Sequence, residues 1–307
     1  MSTSPKKKTK ALLLFSGGLD SILALKILEE QDIKVIPLYF ESVFFSEKEI
    51  LETARRLKLK LRKVDFSKKQ FELVKNPRYG YGKNFNPCID CRLLMLKEAK
   101  KIMKKENCDF IATGEVLGER PMSQNKNSLE LVEKKSSLQG LLLRPLSAKL
   151  LPPTMAEKNK LVERNKLFDI SGRGRFRQLA LAKKYKLVNF PSPAGGCLLT
   201  DPTFSKRLGK LLEKKSDPAL SDLKLLKLGR HFWQGDVLIV VGRNEEENRK
   251  IRKIASESDI LTELKNITGP LTLIRGKKIS DETIKKAQKL TAHYSTRARG
   301  KKDLKFV

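Results

Sequence analysis

The sequence predicts an α/β chain, a doubly wound parallel sheet followed by a smaller C-terminal α+β domain. Three observations carry this. Short apolar runs alternate with amphipathic stretches of about 10 to 15 residues, as βαβ units require. A Ser-Gly-Gly turn joins the first run to the first amphipathic stretch, and the pattern changes after Asp201-Pro202. The 307 residues leave room for about two domains at roughly 150 residues each.

Ala11 to Phe15 reads as the first strand, and Leu19, Ile22, Leu23, Leu25, Ile27 and Leu28 follow at helical spacing. Val35 to Phe40 is the second strand, Glu49 to Leu57 a helix, Leu59 to Val64 a strand, Arg92 to Met103 a helix and Phe110 to Thr113 a strand. The polar stretch Met122 to Leu138 reads as a mobile or RNA-facing loop, and Leu150 to Lys160, with Pro152-Pro153, as a break before another helix. The polar segment Ser216 to Ser221 separates a sheet domain over 8–203 from a module over 222–307. In the module Val237 to Val241 and Leu271 to Ile274 read as strands, and Glu245 to Ser256 and Asp281 to Arg297 as helices.

Lys and Arg number 65 against 35 Asp and Glu, a formal net charge of +30. Such an excess points to a polyanionic partner, nucleic acid first. It is no tail, since 25 Lys and Arg face 13 Asp and Glu between Ser205 and Val307. A Lys- and Glu-rich surface with two His is also a thermophile trait, a second origin for the basicity. The longest apolar runs fall far short of the about 20 residues a membrane helix needs. The cluster Lys6-Lys7-Lys8 is followed by no apolar signal stretch, so a cytoplasmic protein is expected, with no membrane partner. In that setting four cysteines suit metal, cluster or catalytic roles better than disulfides.

Ser16-Gly17-Gly18-Leu19-Asp20-Ser21 stands where a strand hands over to a helix, the ligand-binding position of open α/β sheets. The glycines let the backbone approach a phosphate, the helix start supplies free N–H groups, and Ser16 and Ser21 add hydroxyls. Asp20 would be repelled by bare phosphate, so its role is to hold Mg²⁺ against it. The plain alternative is a strand-helix turn capped by Asp20-Ser21.

The Ser-Gly-Gly-x-Asp-Ser motif in its βαβ context resembles the pyrophosphate loop (PP-loop) of the adenine nucleotide alpha hydrolase superfamily. That resemblance implies a Rossmann-like ATP-binding domain that adenylates a carbonyl oxygen and releases pyrophosphate. The Gly-Lys-Ser/Thr ending of a Walker loop is missing. Thr113-Gly114-Glu115-Val116-Leu117-Gly118, Ser123-Gln124 and Leu143-Arg144-Pro145-Leu146 resemble the tRNA 4-thiouridine synthase branch. The 2-thiouridine branch usually has a His after Thr-Gly, where this chain has Glu115. The likeness covers roughly Lys8 to Leu199 and implies that Gly114 and Glu115 line the adenosine side. The chain departs from those synthases in showing neither a rhodanese-like sulfur carrier nor their N-terminal RNA-binding region, so sulfur delivery and tRNA docking are expected to be supplied differently.

Asn86-Pro87-Cys88-Ile89-Asp90-Cys91 opens a helix, placing two sulfurs together near its N-terminus, where thiolate is favoured. Cys197 follows in the Gly-rich turn Pro193-Ala194-Gly195-Gly196-Cys197. Both segments resemble cysteine-bearing loops of tRNA thiolases. In the cluster-dependent thiolases three cysteines hold a [4Fe-4S] centre whose fourth iron binds the sulfide. Persulfide chemistry is a second reading, with Cys197 carrying sulfur and Cys88 or Cys91 resolving it. A zinc site completed by Cys108 is a third, although Cys108 leads into an apolar strand as a buried small hydrophobe would.

Ser171-Gly172-Arg173-Gly174-Arg175-Phe176-Arg177 interleaves three Arg with an aromatic, and between Lys160 and Lys186 nine basic residues face two acidic ones. Such a segment suits RNA, the arginines on phosphates and Phe176 on a base. A solvated charged face is the plain alternative. Val241-Gly242-Arg243-Asn244 with Asn248, Gly269-Pro270 and His293-Tyr294-Ser295-Thr296-Arg297-Ala298-Arg299 resemble the RNA-binding R domain of NFACT ribosome-quality-control proteins. Asn244 also reads as a helix cap, and His231 and His293 as structural.

Together these readings imply an ATP-dependent tRNA sulfurtransferase that adenylates a uridine and replaces its oxygen with sulfur, 4-thiouridine ahead of 2-thiouridine. Its partners would be tRNA and a sulfur donor, sulfide or a carrier protein. The alternatives are a PP-loop tRNA-modifying ligase with an amine nucleophile and a non-catalytic RNA-binding quality-control factor. The oligomeric state stays open.

Overall fold

The computed structural model describes residues 8–45, 47–190, 196–298, 301 and 303–307. The chain divides into two compact units at Thr200/Asp201, each described by itself.

The first unit runs β1 (Lys10–Leu14), α1 (Leu19–Glu29), β2 (Lys34–Glu41), α2 (Glu47–Arg56), β3 (Arg62–Asp65), α3 (Ser67–Lys75), α4 (Cys88–Lys105), β4 (Phe110–Thr113), α5 (Lys126–Lys135), β5 (Leu142–Leu143), α6 (Met155–Lys158) and α7 (Phe176–Lys184). Its sheet has the order β3-β2-β1-β4-β5 and every pairing is parallel. The central strand β1 pairs with β2 on one side (Leu12 with Ile36) and β4 on the other (Leu14 with Thr113).

Alternate residues of β1 face opposite layers, as the pleat dictates. Ala11 and Leu13 join Leu19, Ile22, Leu23, Ile27 and Leu181 in one core, and Leu12 and Leu14 join Leu96, Ala99 and Val132 in the other. A strand buried on both faces must be apolar throughout, which is why the run Ala11 to Phe15 is legible. Helices α1 and α7 therefore cover one face, α4 and α5 the other. The strand order reverses between β1 and β4, and a crevice opens there beyond the carboxyl ends of the strands.

Two expectations change. The stretch Met122 to Leu138 is not a loop. It contains α5, capped by Asn125, whose side chain accepts from the Ser128 N–H at 2.8 Å. Its polar composition hides Leu129 and Val132, both buried at i,i+3. The third strand starts at Arg62 rather than Leu59, because Lys58 takes a positive φ of 52° and the Leu59 N–H bonds the Ala54 carbonyl at 2.8 Å, closing α2.

The second unit contains α8 (Pro202–Lys214), α9 (Leu220–Leu225), β6 (Arg230–Gln234), β7 (Val237–Val241), α10 (Glu245–Ile254), β8 (Ile260–Thr262), β9 (Thr272–Arg275) and α11 (Asp281–His293). The strands form an antiparallel sheet in the order β6-β7-β9-β8. Val237, Ile239 and Val241 pack on Ala287 and Leu290 of α11, while Leu238 and Val240 face Leu225 and Ile251. Asp201 caps α8 by accepting from the Phe204 N–H at 2.6 Å, with Pro202 in the first turn. The change of pattern at Asp201-Pro202 is thus a helix start.

His231 is half-buried, its Nε2 2.8 Å from the Leu228 carbonyl, and its buried Nδ1 has no hydrogen-bond partner among the described residues. Burial, with Arg207 nearby, pushes the imidazole down to about 4. The folded unit therefore binds a proton less readily than the unfolded chain, and the stability held by neutral His231 is lost as pH falls from about 6.5 toward 4. We expect denaturant unfolding of the protein to weaken by on the order of 2 kcal/mol over that window, and the His231→Gln variant to lose most of this pH dependence.

Candidate active site

Both loops leaving β1 and β4 enter the crevice. Gly17 takes φ +76°, with Ile50 backbone 3.0 Å from where a Cβ would stand, so a side chain there is both strained and crowded. Gly18 caps α1 in extended conformation. Ser21 donates to the Gly18 carbonyl at 2.8 Å, and its hydroxyl lies 3.3 Å from that of Ser16. Gly114 follows β4, and a Cβ on it would lie 2.6 Å from the Asp20 carbonyl carbon and from Ser21 N. The two loops therefore touch backbone to backbone.

A cavity of about 310 Å³ lies here, bordered by Ser16, Gly18, Asp20, Ser21, Gly114, Glu115, Glu119, Arg120, Arg175, Arg92 and Cys197. It brings together the expected phosphate loop, the expected adenosine-side residues and one expected catalytic cysteine. Asp20 Oδ1 is buried with no hydrogen-bond partner among the described residues. Burial raises its carboxyl pKa, against the pull of Arg175 and Arg120. Glu119 is raised by burial and by the charge of Asp20. A divalent cation on Asp20 would satisfy the orphaned oxygen, since Mg²⁺ needs only one or two carboxylates when phosphates supply other ligands. The guanidinium groups of Arg120 and Arg175 border the same cavity and give it positive charge.

Glu115 is 2% exposed. Its carboxylate lies 2.9 Å from Arg92 Nε and 3.1 Å from Arg144 Nε, and accepts from Thr113 Oγ1 at 3.0 Å. Burial alone would raise this carboxyl, but Arg92 and Arg144 hold it below the usual range. Arg144 continues to Glu133 at 2.9 Å. Glu115 borders the cavity as expected, yet its carboxylate is occupied by two arginines rather than presented to an adenosine. Since Arg92 follows Cys91 directly, this ion pair ties the first turn of α4 to the end of β4.

Cys88 and Cys91 stand in that first turn. Gln70 donates to Cys91 Sγ and Asn86 to Cys88 Sγ, both at 3.2 Å. Cys197 pairs with Phe45 in a β-bridge, and the Leu198 N–H bonds the Phe44 carbonyl at 2.8 Å. Pro193, Ala194 and Gly195 of the expected turn lie outside the described residues. Burial pushes the Cys91 thiol up to about 12, with repulsion from Cys197 and Cys88 adding to it, and the Cys197 thiol up to about 11. The thiolate expected of Cys91 at a helix start is thus overridden by desolvation. Among the described residues no three His, Cys, Asp or Glu side chains converge closely enough to share a metal ion. The three cysteines are neighbours in mutual electrostatic reach, with amide donors aimed at two sulfurs. That donor set fits a soft, sulfur-preferring centre in chemistry without being closed around one.

Cys108 takes no part. It packs beside the core at the opposite end of the sheet, where the following Asp109 N–H bonds the Lys10 carbonyl, and burial pushes its thiol up to about 11. A four-cysteine zinc site is therefore excluded.

The expected RNA residues divide. Arg173 is exposed, Arg175 borders the cavity with a buried Nε that has no hydrogen-bond partner among the described residues, and Arg177 pairs with Asp169 at 2.5 Å. In the second unit Arg243 is paired with Glu247 at 2.6 Å, Asn244 caps α10, and Asn248 holds Gly269 O and Leu271 N at 3.2 and 3.1 Å. The asparagines thus hold backbone. Sequence reasoning gave no role to Arg92, Arg120, Gln70 or Asn86; Arg92, adjacent to Cys91, and Asn86, two residues before Cys88, carried a positional signal.

Two variants separate packing from ligand approach. Gly114→Ala drives a methyl into the Asp20–Ser21 backbone and is expected to lower the melting temperature and abolish ATP binding. Gly18→Ala meets only Ser16 Oγ at 3.5 Å; it should fold normally while calorimetry shows ATP affinity reduced at least tenfold. Glu115→Gln leaves the buried Arg144 and the half-buried Arg92 facing a neutral amide, and denaturant titration is expected to show a loss of about 3 kcal/mol.

Residues 6–150 match the family model described as "Thiamine biosynthesis protein (ThiI)" and residues 229–306 the one described as "NFACT protein RNA binding domain". Among curated proteins the chain is 29% identical over 146 residues to "Probable tRNA sulfurtransferase" of Thermococcus kodakarensis, covering 45% of this chain and 36% of that protein. It is 32% identical over 117 residues to the protein of the same description from Methanosarcina mazei, covering 36% and 29%. The chain thus spans about a third of the length of the curated relatives it matches. Similar solved structures include a 4-thiouridine synthetase–RNA complex with bound ATP, at 21% identity and TM-score 0.38 over 71% of this chain and 52% of that one. Another is the U34-tRNA thiolase NcsA from Methanococcus maripaludis with its [4Fe-4S] cluster, at 20% identity and TM-score 0.34 over 72% of each. The first unit is thus similar to the ThiI family over residues 6–150, and the second to the NFACT RNA-binding domain over residues 229–306.

Proposed function

We propose that the protein is an ATP-dependent tRNA sulfurtransferase. The observation that carries this is the sharing of one cavity by the phosphate loop and Cys197: activation and sulfur delivery have the same address. Ser16, Gly18 and Ser21 receive the ATP phosphates, Arg120 and Arg175 neutralise them, and Asp20 is the residue that would hold Mg²⁺. The uridine carbonyl oxygen attacks the α-phosphate, its bond to pyrophosphate breaks, and an adenylated uridine results. A sulfur nucleophile presented beside Cys197 then attacks the activated carbon, and AMP leaves with the original oxygen. Positioning two substrates is the main task of such a site. Glu115 in place of the His of the 2-thiouridine branch favours 4-thiouridine.

Cys88, Cys91 and Cys197 are the residues that would hold a [4Fe-4S] cluster, which when bound would supply an iron site for sulfide. Persulfide transfer on the same residues is a second reading, favoured by the absence of a closed ligand set among the described residues. There the terminal sulfur of a Cys197 persulfide attacks carbon. The thiolate of Cys88 or Cys91 then attacks Cys197 Sγ, the Sγ–S bond breaks, thiouridine leaves with the terminal sulfur, and the disulfide formed with Cys197 must be reopened by a thiol reductant.

With ATP, sulfide and unmodified tRNA under anaerobic conditions, Cys197→Ser is expected to form no thiouridine while still binding ATP and tRNA; full activity would refute the assignment. Iron and acid-labile sulfide in the wild type, lost in Cys91→Ala, would select the cluster, and their absence after anaerobic reconstitution the persulfide. For RNA docking, tRNA affinity is expected to fall linearly on a log-log plot against salt. Neutralising the exposed Arg173 as Arg173→Gln should reduce that slope by about 1.

A further inference from the structure

Phe176, the first residue of α7, is 75% exposed, and Leu179, one turn on, is 49% exposed. A large aromatic ring left in water at a helix start does nothing for the packing of this unit. The ring folds back over the preceding segment, with Cδ1 3.7 Å from where a Cβ on Gly174 would stand. That segment is fixed beside the nucleotide cavity, because Ser171 bridges Leu117 in parallel and the Gly172 N–H bonds the Leu117 carbonyl at 2.7 Å. Leu117 belongs to the loop that runs from Gly114 to Arg120 along the cavity wall. Arg175 points into the cavity and its neighbour Phe176 points out. The ring therefore lies at the rim, in a segment in which Arg173 and Lys183 are also exposed and whose nine cations face two anions.

We propose that Phe176 is a positioning residue on which an unpaired base of the RNA substrate stacks at the mouth of the cavity, next to the nucleotide being modified. This rests on the tRNA-modifying reading of that cavity. An apolar face with cationic flanks has two chemical readers, an RNA base over phosphates or the apolar patch of an acidic protein. The charge of the segment and the flat, solvent-facing ring favour RNA, since every base offers a π-face and the surrounding cations match the backbone. Stacking also explains why the ring sits against a glycine: no side chain rises beneath it to tilt it away from its position.

The test compares Phe176→Ala, Phe176→Leu and Phe176→Trp in the full chain. The readouts are ATP affinity, affinity for unmodified tRNA, quenching of a single-stranded RNA carrying 2-aminopurine, and tRNA-dependent pyrophosphate release. Phe176→Ala and Phe176→Leu are expected to lose RNA affinity and quenching by about tenfold or more, with ATP affinity and melting temperature unchanged, and Phe176→Trp to keep both. Wild-type RNA affinity in Phe176→Leu would overturn the proposal in favour of an apolar protein contact, and unchanged affinity in Phe176→Ala would overturn it outright. Failure of the wild type to release pyrophosphate with ATP and tRNA would instead refute the enzymatic reading, which the fluorescence measurement does not depend on.

Discussion

The contact that the rest of the site depends on is the backbone approach of Gly114 to Asp20 and Ser21. It exists because β1 and β4 are paired in parallel with Leu14 opposite Thr113, so the loops that follow leave the sheet at the same level and collide unless one residue has no side chain. Once they touch, the phosphate loop cannot drift from the wall carrying Glu115, Glu119 and Arg120, and the cavity acquires a fixed width. A parallel sheet with a reversal of strand order produces the crevice; the missing Cβ of Gly114 sets how tightly it closes.

Charge does the corresponding work for the cysteines. Buried carboxylates and guanidinium groups stay charged only where they are paired. The chain Arg92–Glu115–Arg144–Glu133 is such a pairing, running from the helix that bears Cys88 and Cys91 to the strand end that borders the cavity. Around Asp20 the pairing is left incomplete, with one carboxylate oxygen and Arg175 Nε lacking partners among the described residues. Incomplete satisfaction in a cavity leaves room for a ligand, and Glu115 shares in it: ion-paired to both arginines, it still keeps Oε1 without a hydrogen-bond partner among the described residues.

The parts legible in the sequence are those where one physical demand selects one residue type. A strand buried on both faces demands an apolar run, and a tight strand-to-helix turn demands glycine, so β1, the Ser16 to Ser21 loop and α1 are readable at once. Helix α5 escaped because two buried residues, Leu129 and Val132, suffice to seat it while the rest of its surface is polar. The arginines escaped for another reason. Arg173, Arg175 and Arg177 are identical in sequence terms, and only the bridge between Ser171 and Leu117 decides that the middle one enters the cavity. Asn86 opens the cysteine segment but no rule of spacing gave its amide a role, and Gln70 reaches Cys91 from α3, outside any cysteine motif.

The two origins considered for the basic surface make different demands. Ion-pair networks of the thermophile kind require an acid for each base, and the structure has many such pairs, among them Lys26–Glu29, Lys210–Glu213 and Lys250–Glu246. Exposed pairs like these each contribute little, and with 65 Lys and Arg against 35 Asp and Glu they cannot absorb the surplus. The unpaired remainder repels itself in the folded state, a cost that ion pairing leaves in place and that a phosphate backbone would relieve. Surface ion pairing therefore does not account for the excess, which both units carry, 25 Lys and Arg standing against 13 Asp and Glu from Ser205 to Val307.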